Sequence, residues 1–133
     1  MIPKITLLTL SAVSLFGCVS YEGTYSPDCI AYAGSNISLN DGQFIWEKFT
    51  DMVVVDDDGE VANQFPGYPL KGSYSIDGQT VHMEPDTGDS VEELYLHRHE
   101  NRQYLLTAEQ FDAWQDTGTY AGCALMLDGN PDD

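Results

Sequence analysis

From residue 37 onward, apolar and polar side chains alternate in short runs separated by Asp-Gly pairs. Ile37-Ser-Leu39-Asn40 and Gln43-Phe44-Ile45-Trp46 flank Asp41-Gly42, a pair suited to a two-residue type I′ hairpin because both central positions need positive φ. In that register Leu39 faces Phe44 and Ile37 faces Trp46, so the large apolar side chains share one face. Asp77-Gly78 predicts a second hairpin. It pairs Tyr74 with Val81 and Gly72 with Met83, and leaves Ser73, Ser75, Thr80 and His82 on the opposite, polar face. Further strands are predicted over 52–55, 91–98, 103–106 and 123–127. Residues 56–60 and 85–90 read as turns, and 65–69 as a loop, since its two prolines cannot donate within a central ladder.

One helix interrupts this pattern. Thr107-Ala-Glu-Gln110 has the spacing of a capping box, Phe111 and Trp114 fall on one face, and Gly118 supplies a stop. The two rings are expected in the core, plugging one end of the fold. Several short antiparallel strands joined by tight turns predict a mainly β protein: a small antiparallel up-and-down barrel with one short helix, because closure removes exposed sheet edges. Gly23-Thr-Tyr25-Ser recurs as Gly72-Ser-Tyr74-Ser, each at a predicted strand opening. The barrel pattern is similar to that of the small lipocalin-like domains of bacterial envelope lipoproteins. Gly23-Thr24-Tyr25 resembles the Gly-x-Trp opening of lipocalins, with Tyr in place of Trp. No counterpart of the closing lipocalin arginine stands in the last strand, and the chain is shorter than a full lipocalin.

The first residues have a different character. Lys4 precedes an apolar run from Ile5 to Phe16, about a dozen residues against the roughly 20 needed to span a bilayer. Leu15-Phe16-Gly17-Cys18 resembles a bacterial lipobox. The resemblance implies a signal peptide over 1–17, lipid on Cys18 and a tether over 18–22; the strand pattern puts the barrel domain over 23–128, followed by an acidic tail over 129–133. Val19, rather than Asp, after the modified cysteine implies sorting to the outer membrane, facing the periplasm. With Cys18 blocked by lipid, Cys29 and Cys123 remain, either as a disulfide in an oxidising compartment or as two thiols. Cys29 is expected in an early strand and Cys123 in the last, where a bridge would staple the two ends of a closing barrel.

The chain carries 22 acidic residues against 5 Lys and Arg, a net charge of −17, and losing Lys4 with the leader takes it to −18. Such a surface repels nucleic acid and anionic lipid headgroups and attracts basic proteins, cationic peptides or divalent cations. His97 and His99 point the same way from one strand. With His82 in a neighbouring strand, and Glu84 and Glu93 to complete the set, they are a candidate zinc or copper site. Residues 56–60 lack the length and alternation of a calcium loop. No Gly-x-Ser-x-Gly elbow, phosphate loop or His-Glu-x-x-His helix is present, so no catalytic residue is named and no cofactor beyond the covalent lipid is expected. These features point to a non-enzymatic envelope lipoprotein that binds another molecule. Its alternatives are a small-ligand or metal carrier or sensor, and an inhibitor of a basic enzyme such as lysozyme.

Overall fold

The computed structural model describes residues 21–62, 64–120 and 122–128. The leader, Cys18 and the acidic tail lie outside these residues. Eight strands run in chain order: β1 (Gly23–Pro27), β2 (Ala33–Asn40), β3 (Gln43–Thr50), β4 (Leu70–Asp77), β5 (Thr80–Pro85), β6 (Leu94–His99), β7 (Arg102–Leu106) and β8 (Leu125–Leu127). Each pairs antiparallel with its sequence neighbour, and β8 pairs with β1, closing an up-and-down barrel. One helix, α1 (Ala108–Thr117), sits between β7 and β8.

Turn chemistry sets the register. Asp41 (φ 53°) and Gly42 (φ 76°) take left-handed values between paired Asn40 and Gln43, and Ile37 faces Trp46 as the alternation requires. The second hairpin differs from expectation. Asp77 pairs with Thr80, so the turn is Gly78-Gln79 with Gly78 (φ 66°) at the first central position, as in a type II′ turn. Tyr74 therefore faces Met83 and Gly72 faces Pro85. The slip is an even number of residues, which leaves every side chain on its expected face. Gly72 is also the third residue of its strand rather than an opening. A third tight turn, Glu100 (φ 50°) and Asn101 (φ 65°), joins β6 to β7. Nothing in the Glu-Asn pair announces it, because Glu is seldom found there.

The predicted strand at 52–55 is not part of the barrel. Only an isolated bridge, Val55 to Val61, forms there. The chain leaves the sheet after β3 and re-enters at Leu70, opposite Trp46. Strands β6 and β8 also start later than expected, at Leu94 and Leu125, because residues before each peel away into rim loops.

Two cores result. Inside the barrel, Tyr25, Ile37, Leu39, Phe44, Val81, Leu94 and Leu105 are buried in one cluster. Gly23 stands beside the closing seam: its φ is 135°, and a Cβ there would come within 2.7 Å of Leu127 Cδ1. Tyr25 is fully buried and its hydroxyl donates to the Tyr21 carbonyl oxygen at 2.5 Å. Burial, with the neighbouring Tyr74 and Tyr21, raises its pKa.

The second core lies outside the barrel wall. Helix α1 begins with the predicted capping box, Thr107 Oγ1 accepting from Gln110 N (3.1 Å) while Gln110 Oε1 accepts from Thr107 N (3.0 Å), and ends at Gly118 (φ 75°). It does not plug the barrel end. It packs on the outer face of β6 and β7, where Phe111 stacks on Tyr95 (ring centroids 5.3 Å apart) and Tyr104, Leu106 and Ala124 are buried with Phe111, Tyr120 and Met126 around them. Covering both faces of β7 explains its unbroken buried run from Gln103 to Leu106.

Candidate functional site

The barrel has two unlike ends. One carries the tight turns at 41–42, 78–79 and 100–101, together with the start of β1. The other carries the longer connections, 28–32, 51–69 and 86–93, and the segment from Gly118 to Ala124. A cavity of 260 Å³ opens at this second end. Its depth is apolar, with Ile37, Trp46, Leu94, Leu105 and Leu125 among its walls, while Glu92 is the one carboxylate among its lining residues. The volume of 260 Å³ falls just below the roughly 300–1,000 Å³ typical of small-molecule sites. An eight-stranded barrel has room for packed side chains or one small ligand.

Small residues create the space. Ala31, Ala33, Gly34 and Ser35 line the cavity where β2 begins, and none of them reaches across the barrel. Trp46 borders the cavity, and its indole nitrogen is turned away from accessible space. Its Nε1 is buried without a hydrogen-bond partner, and a buried donor left unpaired costs about 1 to 3 kcal/mol. Trp46 also packs edge-on against Tyr68 (6.2 Å), over which Lys48 Nζ sits 4.6 Å from the ring centre. A second hollow of 360 Å³ runs along residues 83–91, but Glu84, Asp89 and Ser90 make its walls polar.

Cys29 and Cys123 form a disulfide at the rim, with Cα atoms 5.8 Å apart. Both lie just beyond strand ends, Cys29 after β1 and Cys123 before β8, rather than inside the strands. Asp28 N donates to Ala124 O (3.0 Å) beside them. The bridge thus extends the closing seam, and Cys123 itself lines the cavity.

The three histidines do not converge. The β5–β6 register, Thr80 to Tyr95 and Val81 to Leu94, sets His82 beside Glu93, and its Nδ1 lies 2.5 Å from Glu93 Oε2. His97 is four residues farther along β6, about 13 Å at strand rise. His82 and Glu93 make an exposed pair worth no more than about 1 kcal/mol. His97 and His99 share a face, as expected, but Trp114 covers both, with ring centroids 5.0 and 4.3 Å away. Among the described residues no group of three or more His, Cys, Asp or Glu side chains is placed to hold a metal ion.

Comparison with protein-family models, with curated proteins and with solved structures gives no match.

His97 has a structural consequence instead. Burial beneath the helix lowers its pKa, the charge of His99 adds to this, and its Nε2 has no partner. The groups facing it are His99, Phe111, Trp114 and Tyr120, with Glu100 3.8 Å from His99 Nε2. Tyr120, its pKa pushed up to about 12 chiefly by burial, stays neutral there. Because the folded pKa is depressed, the unfolded chain binds the proton first, so stability rises with pH across this range. The expected result is a loss of stability as pH falls from 7.5 through the ordinary histidine value near 6.5. Urea midpoints measured across that interval should slope for the parent chain and flatten for His97→Phe.

Proposed function

We propose that this chain is a lipid-anchored cell-envelope protein whose barrel holds a small, largely apolar ligand at its open end. The observation that carries the binding reading is the mouth cavity, apolar in depth and walled by Ile37, Trp46, Leu94, Leu105 and Leu125. A small ligand with a largely apolar body fits it. The anchor rests on the Leu15-Phe16-Gly17-Cys18 lipobox resemblance, and the bridged Cys29–Cys123 pair accords with an exported chain that leaves Cys18 for lipid.

The fold gives this anchor a direction. Gly23 opens β1 at the tight-turn end, and residues 19–22 alone separate it from Cys18. At no more than about 3.6 Å per residue, that linker holds the tight-turn end near the bilayer. The mouth then points away from the membrane, open to the periplasm. A ligand would be exchanged with the aqueous space or with partners there, not drawn directly from the supporting leaflet.

One experiment addresses both halves. The full chain and its Cys18→Ser variant are produced in a bacterial host and fractionated, and the variant is titrated with the neutral apolar fluorophore N-phenyl-1-naphthylamine. The parent is expected in membranes with an acylated N-terminal cysteine by intact mass, and the variant without the acyl mass. Saturable fluorophore binding with quenching of Trp46, abolished by Ala31→Trp at the rim, is the expected titration. Equal binding by the Ala31→Trp variant would reject the cavity as the site, and an unmodified Cys18 would reject the anchor.

A further inference from the structure

The longest connection in the barrel exposes an apolar run that the fold leaves uncovered. Met52, Val53, Val54 and Val55 are 67, 68, 50 and 54 % exposed, and Val61 is 73 % exposed. Hydrogen bonds rather than packing hold this arm: Asp56 N donates to Glu60 O (2.9 Å) and Ala62 N to Val54 O (2.9 Å). At the tip, Asp56 Oδ1 accepts from the backbone N–H groups of Asp58 and Glu60. Its root joins the neighbouring rim, because Asp51 N donates to Tyr32 O (2.7 Å), bringing exposed Ile30 and Tyr32 alongside. Single exposed apolar side chains are ordinary, but a contiguous exposed patch marks an interaction surface.

Charge decides which occupant suits it. Asp51, Asp56, Asp57, Asp58 and Glu60 share the arm with the valines, and no Lys or Arg lies between residues 51 and 62. A second copy of this chain would bring like charges together, and anionic headgroups would meet the same repulsion. We propose that the 51–62 arm, with Ile30 and Tyr32, is a docking surface for a cationic amphipathic segment of a partner protein. Apolar side chains of that segment cover Val53 to Val55, and its Lys or Arg side chains meet the carboxylates at the tip. This surface stands outside the mouth cavity, so the two readings succeed or fail separately.

The Cys18→Ser chain is titrated into a fluorescein-labelled 18-residue Leu/Lys amphipathic peptide, followed by anisotropy at low and at threefold to sixfold higher salt. Expected are saturable binding, weakening of about tenfold at the higher salt, and little affinity for the Leu/Glu peptide of the same pattern. Val53→Ser with Val55→Ser should weaken binding by about tenfold or more through lost apolar contact. Asp57→Asn with Asp58→Asn should flatten the salt dependence, and excess N-phenyl-1-naphthylamine should not displace the peptide. All these positions are exposed, so near-ultraviolet circular dichroism should match the parent. Unchanged binding by the Val53/Val55 variant, or equal affinity for the acidic peptide, overturns the proposal. So does arm-dependent dimerisation, or arm-dependent sedimentation with phosphatidylcholine vesicles.

Discussion

Replacing Cys29 and Cys123 together by serine is expected to lower the unfolding free energy by about 4 to 5 kcal/mol. The bridge spans a sequence separation of 94 residues, and the chain-entropy estimate for a loop of that length gives this magnitude. The loss is large beside the roughly 5 to 15 kcal/mol of a typical domain. Its location makes it larger in effect than a bridge elsewhere would be. The β1–β8 seam holds Tyr25 to Leu127, Ser26 to Met126 and Pro27 to Leu125, with Asp28 N–Ala124 O and Asp128 N–Thr24 O continuing it on either side. The opposite side of β8 is held to β7 by two residue pairs. Without the covalent link, β8 is the element whose departure opens the barrel and unroofs the cavity wall at Leu125. Urea unfolding of the oxidised parent and of the double-serine chain, followed by Trp fluorescence and far-ultraviolet circular dichroism, measures the difference. Coincident midpoints would show that the noncovalent seam closes the barrel unaided.

The barrel was legible because its local and global signals agree. Asp41-Gly42 fixes a turn, and the apolar alternation on both sides of it leaves only one face to bury; the structure follows that pairing residue for residue. The second hairpin kept its faces but not its register, since Gly78 serves either as the second residue of one turn or the first of the next. The valines at 53–55 depart from the strand they predict for a physical reason. Their β-branched run satisfies strand propensity, but propensity cannot show whether a partner strand will be in reach. Phe111 and Trp114 were correctly paired on one helix face, yet their spacing carries no information about which side of the barrel wall receives them.

The candidate site was less legible. Three histidines attract attention as ligands, but the register that separates His82 from His97 depends on how far the 86–93 connection carries the chain before β6 begins. The cavity is signalled by what is missing from the sequence. Ala33 and Ser35 stand where the alternation that leads to Ile37 and Leu39 would otherwise supply large apolar side chains. Side chains too short to meet leave a hollow, and Trp46 borders it without filling it.

Gly72→Ala is the point substitution expected to do most damage. Gly72 sits inside the barrel wall, paired with Phe44 on one side and Pro85 on the other. Its φ is ordinary, so conformational freedom does not explain the glycine. Space does: a Cβ would fall on the carbonyl oxygen of Glu84 and within 2.7 Å of Pro85 Cα. These are backbone atoms of a paired strand, so no side chain can rotate away, and β4 must part from β5 near the mouth. Glycine within a strand marks such a close backbone approach, often at a tight bend of a barrel. Overpacking typically costs about 1 to 3 kcal/mol, and the absence of a yielding neighbour places this case at or above the top of that range. Ser73→Ala, one residue along on the exposed face, should stay within about 0.5 kcal/mol of the parent. Thermal melts of the three proteins provide the test. A Gly72→Ala chain that melts with the Ser73→Ala control would mean that β4 and β5 accommodate a Cβ at this bend without cost.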